Sequence, residues 1–242
     1  MIKFIKYYLK KILYKFNFKL SKIYIQNEYN LESPDVNLLK TMKNCKGVLH
    51  IGAHRGSESA VYEWFGKKVV WIEANPKIFL DLQINIKEYK HQVAICALLT
   101  DQDDEVKKFF ISNNDSASSS IYEFGELSDG NKSIWKNKNL KMVNEMYLKS
   151  KTLDTVIKDN NIKISNYDHW VIDVQGAEGL VLEGCKNNIQ FCNSLFIEVS
   201  KGEIYKNGSQ WSNIKEFLKS HGLKPITEIQ SEHENVLFTR FY

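Results

Sequence analysis

At 242 residues, 43% of them hydrophobic and 12% aromatic, the chain is long enough for one α/β core and too apolar for a disordered protein. Three prolines and twelve glycines exclude low-complexity linkers, and four cysteines without a C-x-x-C pair exclude a cysteine-built metal site. The net charge of +4 belongs to one segment: residues 1–22 hold seven lysines and no acid, and the other 26 basic against 29 acidic residues leave about −3, the wrong balance for a nucleic-acid binder.

The lysine-rich segment is patterned as a helix, with Ile2, Ile5, Leu9, Ile12, Leu13, Phe16 and Leu20 on one face. Its apolar runs never exceed three residues, so it reads neither as a secretory signal nor as a membrane span. Such a helix can lie on an anionic bilayer. It can equally pack on its own domain or on a second subunit, as in a homodimer. Residues 1–40 are read as this extension and 41–242 as one α/β domain.

Strand and helix then alternate. A strand is expected over 46–51, and a helix over 57–65 with Ala60, Val61, Trp64 and Phe65 inward. A strand over 68–73 is followed by a helix opened by Pro76 and carried by Phe79, Leu82, Ile86 and Tyr89. Strands over 92–99 and 105–111 come next, the second at an edge. Residues 112–150 break the rhythm and read as a long polar connection. The pattern resumes with a helix over 152–159, a strand over 169–174, a helix over 177–189, a strand over 194–199 and a helix over 211–221 closed by Gly222. Strands over 224–229 and 235–241 form a terminal hairpin. Cys96, Cys185 and Cys192 sit in apolar sequence and are expected as buried thiols of a reducing compartment.

The chemistry starts at Val48-Leu-His-Ile-Gly-Ala-His-Arg-Gly56 and Lys68-Val-Val-Trp-Ile-Glu-Ala-Asn75. A strand runs into a glycine turn, and the next strand ends on Glu73, where a carboxylate can accept both hydroxyls of a ribose. A dinucleotide site wants G-x-G-x-x-G, with the middle glycine clearing room for pyrophosphate. Here Ala53 and His54 separate Gly52 from Gly56, which suits the smaller methionine moiety of S-adenosylmethionine. A terminal antiparallel hairpin after βα units points the same way. The fold expected is Rossmann-like, a class I methyltransferase with a seven-stranded, mostly parallel sheet. An NAD-dependent oxidoreductase and a turn with no ligand are the alternatives. The cofactor is expected against His50, Ile51, Gly52 and Ala53, with Glu73 on the ribose and Ala74, Asn75, Ala97 and Leu98 around the adenine.

Several segments in this order carry a resemblance. They are His50-Ile-Gly-Ala-His54, Trp71-Ile-Glu-Ala-Asn-Pro76, Ser112-Asn-Asn, Ser118-Ser-Ser-Ile121, Lys151-Thr-Leu-Asp154, Ile172-Asp-Val-Gln-Gly-Ala-Glu178 and Phe196-Ile-Glu-Val199. The chain resembles the FkbM family of S-adenosylmethionine-dependent O-methyltransferases over about residues 47 to 200. The resemblance implies methyl transfer to a hydroxyl, often of a sugar or polyketide. His54 stands where asparagine is frequent, and Ser200-Lys-Gly matches no pattern with a role.

Methyl transfer needs the acceptor oxygen aligned, water excluded and the hydroxyl proton removed. Asp173 and His54 are the candidate bases; Asp173 is also placed to anchor the methionine ammonium. Asp173 and Glu198 are candidate ligands of a divalent metal, as in some related O-methyltransferases. Asn114, Ser118, Ser119, Ser120, Gln175, Glu178, Glu198 and Tyr205 are the candidate acceptor-binding residues. Glu178 reads equally as favourable charge at a helix N-terminus. The expected activity is O-methylation of a sugar in a nucleotide-activated or lipid-linked glycan precursor, in the cytoplasm at the inner face of the membrane. A polyketide or other small-metabolite acceptor, and a non-catalytic nucleoside-binding subunit, remain alternatives.

Overall fold

The computed structural model describes residues 34–128, 133–134 and 139–241. The amphipathic helix expected over 1–22 lies outside them. One compact unit begins at Pro34, and its first helix, α1 (Pro34–Asn44), crosses position 40.

The main sheet contains β1 (Gly47–Ile51), β2 (Lys68–Glu73), β3 (Gln92–Cys96), β7 (His169–Ile172), β8 (Ser194–Ser200), β9 (Leu223–Pro225) and β10 (His233–Arg240). Their spatial order is β3-β2-β1-β7-β8-β10-β9. Strand β10 is antiparallel to both its neighbours, and the other pairings are parallel. This is the expected Rossmann-like, mostly parallel sheet with its terminal antiparallel hairpin. Side chains alternate between faces, so strands buried on both sides read as continuous apolar runs. Leu49, Ile51, Trp170, Ile172, Leu195 and Ile197 share one core with α4 (Leu153–Asp159), α5 (Glu178–Glu183) and α6 (Trp211–Ser220). Val48, Val69, Trp71 and Val171 share the other with α1, α2 (Ser59–Trp64) and α3 (Pro76–Ile86). Asn75 and Thr152 cap α3 and α4 by accepting backbone N–H groups two and three residues on.

Four expectations change. Helix α2 buries Ser59 and Tyr62, three residues apart on one face, and leaves Trp64 86% exposed. The apolar run 92–99 divides at Ala97, whose N–H donates to the Glu73 carbonyl at 3.0 Å. Residues beyond it, β4 (Leu98–Leu99), pair instead with β6 (Met142–Lys151) in a second sheet ordered β4-β6-β5, where β5 is Val106–Ser112. Strand β6 occupies the segment read as connection; half of its side chains are exposed and only one is buried, so no apolar stripe marks it. Finally, Cys96 is exposed where β3 ends, whereas Cys45, Cys185 and Cys192 are buried.

His169 is fully buried in β7, its Nδ1 2.8 Å from the Ser194 hydroxyl. Burial lowers its pKa to about 4, and neighbouring His50 adds to the effect. The unfolded chain therefore takes up a proton near 6.5 that the folded chain refuses until about 4, and stability is lost as pH falls through that window. The loss amounts to about 3 kcal/mol, or about 6–12 °C in Tm. Melting curves from pH 7 to 4 will show a shallower decline for His169→Gln than for the parent; parallel curves would refute this assignment.

Candidate active site

The chain order reverses between β1 and β7, which places a crevice at the carboxyl ends of these strands. Gly52 makes the crevice possible. Its φ is +79°, and a Cβ there would lie 1.7 Å from the Asp173 carbonyl oxygen. With no side chain, the two strand ends lock together through Asp173 N–H donating to Ile51 at 3.0 Å. The N–H groups of Gly52 and Ala53 donate to the Ile72 carbonyl at 3.0 and 3.1 Å, fixing the turn against β2.

A cleft opens here between the strand ends. Expected residues Ile51, Gly52, His54, Glu73, Ala74, Ala97, Leu98, Ser119, Asp173 and Gln175 line it. Ile72, Leu99 and Phe109 add apolar wall that the motifs did not mark. Glu73 is buried, with Oε1 accepting from Asn75 N–H and Oε2 from His54 N–H, each at 2.8 Å. Burial raises its pKa, opposed by those two N–H groups. Each oxygen keeps a lone pair for a further donor.

Two expected cofactor contacts lie elsewhere. His50 points to the other face of the sheet, stacked 4.7 Å from the Trp71 ring with its Nδ1 3.0 Å from the Tyr62 hydroxyl, because strand side chains alternate and Ile51 takes the opposite direction. For Ala53 the expected contact is through the backbone; its side chain packs in the core beneath the turn. Asn75 spends its side-chain oxygen capping α3 and does not line the cleft.

The serine-rich loop folds back over the cleft as an internally bonded cap. Asn114 donates to Ser118 Oγ at 2.9 Å and accepts from Ser112 Oγ at 2.6 Å, and the Ser120 hydroxyl donates to the Gln175 carbonyl at 2.7 Å. Ser118 is thus engaged in the loop's own bonding and Ser120 fastens the loop to the Gln175 carbonyl, while Ser116, Ala117 and Ser119 reach the cleft. The loop is tied down by Arg55 and His54 of the glycine turn. Arg55 pairs with Asp81 at 2.9 Å and with both oxygens of Asp115. The Asp115 carbonyl lies 2.9 Å from His54 Nε2. A carbonyl only accepts, so Nε2 carries the hydrogen in this contact.

Beyond the cleft, carboxylate oxygens of Asp173, Glu178 and Glu198 lie within 4.8 Å of one another. They are hard oxygen donors, the set that would hold a divalent cation, with Glu178 as a third member besides the expected Asp173 and Glu198. Gln175 already bridges the pair: its amide donates to Asp173 and, at 2.8 Å, to Glu198. Tyr205 is buried and donates its hydroxyl to the Gln175 side-chain oxygen, and its ring covers Gly176, where a Cβ would come within 2.8 Å. Glu178 closes the turn, one oxygen accepting from Val174 and Gly176 N–H at 3.1 Å each. On the far side His233 lies 3.0 Å from Glu198, a partner no motif marked. Burial and the adjacent Glu198 push the Asp173 pKa up to about 8, and burial pushes Glu178 to about 7. For His233 burial works downward, but the Glu198 hydrogen bond prevails and raises it.

The sequence from 50 to 225 matches the family model described as the methyltransferase FkbM domain. The chain belongs to the FkbM methyltransferase family. No curated protein matches its sequence. Among solved structures it is similar to methyltransferase FkbM from Methylobacillus flagellatus KT, at 12% identity and TM-score 0.46, over 81% of this chain and 43% of that one. The chain thus spans less than half the length of that relative. Similar at 10% identity and TM-score 0.45 is the magnesium protoporphyrin IX methyltransferase of Synechocystis PCC 6803 with bound S-adenosylmethionine, over 93% of this chain and 87% of that one. Fibrillarin from Aeropyrum pernix with natively bound S-adenosylmethionine aligns at 12% identity and TM-score 0.43, over 84% of this chain and 72% of that one.

S-adenosylmethionine is the cofactor of this FkbM domain, and the cleft fits it. Glu73 has free lone pairs for two ribose hydroxyls, and Ile72, Leu98, Leu99 and Phe109 offer an apolar berth to the adenine. Charge-assisted hydrogen bonds of this kind contribute about 1.5–3 kcal/mol. Glu73→Gln will therefore weaken S-adenosylhomocysteine binding about 10- to 100-fold by calorimetry. An unchanged affinity would remove Glu73 from the cofactor site.

Proposed function

We propose that this FkbM domain transfers the methyl group of S-adenosylmethionine to a hydroxyl oxygen of a sugar, in a nucleotide-activated or lipid-linked cell-surface glycan precursor. The observation that carries the reading is Asp173, a carboxyl with a raised pKa at the edge of the cofactor cleft, backed by Glu198 and bridged to it by Gln175. When bound, S-adenosylmethionine would supply an activated methyl, the electron pair of its S–C bond being left on sulfur as the acceptor oxygen takes the carbon. The protein must place the hydroxyl and take its proton. Asp173 is the group for the second task, with Glu198 beside it to stabilise the added proton. His54 serves the first, since its ring tethers the loop that caps the cleft. The sugar class is supported by the polar rim of Ser116, Ser119 and Gln175, and by the family to which the chain belongs.

A base with a pKa near 8 works only once deprotonated, so kcat/KM will rise with pH and level off above about 8. Asp173→Asn will lower kcat by about 10²- to 10⁴-fold and abolish that rise, with S-adenosylhomocysteine affinity retained. Full turnover in this variant would overturn the assignment.

The seven lysines of residues 1–22 support a further part of the reading: the tail holds the enzyme at the anionic inner face of the cytoplasmic membrane. Among the described residues no helix is long and apolar enough to cross a membrane. Removing residues 1–22 will abolish co-sedimentation with phosphatidylglycerol vesicles at low salt; undiminished sedimentation would exclude the anchor.

A further inference from the structure

A second cavity, of about 240 Å³, lies on the α1–α2 side of the main sheet. Leu38 and Met42 of α1, Val61 and Phe65 around α2, and Val171 and Phe196 of the strands give it an apolar wall. Protein interiors are close-packed, and an apolar-walled space of this size is no packing defect. Two observations say what it takes. The first is Asp173, which lines both this cavity and the cofactor cleft. A molecule seated in the cavity therefore reaches the proton acceptor from the side opposite the cofactor. The second is His169, which also lines the cavity. It is completely buried, and its Nε2 has no hydrogen-bond partner among the described residues. A buried polar atom in that state costs free energy until a partner arrives. His50, tied by its Nδ1 to Tyr62, adds a second imidazole that burial keeps from protonating.

We propose that this cavity receives the apolar part of the methyl acceptor, an alkyl or aryl aglycone, with one polar atom of the acceptor meeting His169 and its hydroxyl held at Asp173. The inference rests on the reading of methyl transfer to a hydroxyl given above. It divides the acceptor into two halves: the polar half lies under the serine loop, and the apolar half lies beneath the sheet.

The test measures binding of methyl and hexyl β-D-glucopyranoside to the full chain saturated with S-adenosylhomocysteine. The hexyl glycoside will bind at least about tenfold more tightly, since each buried methylene adds to affinity. Val61→Trp, which fills the cavity, will erase the difference while S-adenosylhomocysteine affinity stays unchanged. In the parent protein with ¹⁵N-labelled histidine, the His169 Nε2 resonance will move with the hexyl and not with the methyl compound, a readout that needs no variant. Equal affinities for the two glycosides would overturn the proposal. So would a hexyl preference that survives Val61→Trp, because the chain would then bind elsewhere. Methyl transfer to the hexyl glycoside is read separately: its absence, with the cavity binding intact, counts against the sugar reading alone.

Discussion

Everything at the active site follows from the contact between Gly52 and the Asp173 carbonyl. The clearance admits a hydrogen and nothing larger. Because it does, β1 and β7 stay in register to their last residues, and the turn after β1 can lean on β2 through the Ile72 carbonyl. That lean brings His54 N–H onto Glu73 and so orients the carboxylate expected to take the ribose. The same contact holds Asp173 at the rim of the cleft. One missing Cβ therefore sets the distance between Glu73, expected on the ribose, and Asp173, the proposed proton acceptor.

The two sets of acids are handled in opposite ways. Glu73 sits alone, and two backbone N–H groups compensate its burial. Asp173, Glu178 and Glu198 are crowded together, and burial, with their repulsion added, raises two of the three pKa values into the range where they exchange protons near neutrality. Gln175 and His233 moderate this without abolishing it. Gln175 adopts a left-handed backbone, φ +58°, to reach both carboxylates. Strain at one residue and repulsion among three are stability given up for a tuned site, as is common where chemistry is done.

The parallel strands were legible because burial on both faces writes an unbroken apolar run, and the glycine turn because only glycine tolerates its geometry. Strand β6 was not, since a strand with half its side chains exposed and only one buried leaves no apolar stripe to read. The division at Ala97 was hidden for the opposite reason: Leu98 and Leu99 are buried in a second sheet, so the apolar run continues across the break. In the site, Glu73, Gly52 and Asp173 could be placed from strand ends alone. His50 could not, because its role depends on which face it points to, one residue out of phase with Ile51. Arg55, Asp115 and His233 were out of reach, because they meet their partners through tertiary contacts between segments far apart in the chain.

The position of β10 has a consequence for how the molecule is made. This strand inserts between β8 and β9, and it carries the His233 that faces Glu198. A nascent chain that has emerged only as far as β8 already holds all three crowded carboxylates but lacks their imidazole partner, and one edge of β8 is still unpaired. The half-made protein thus exposes a sheet edge next to an uncompensated acidic pocket. Both liabilities end in the same event, the docking of a single strand synthesised after the cofactor cleft is complete.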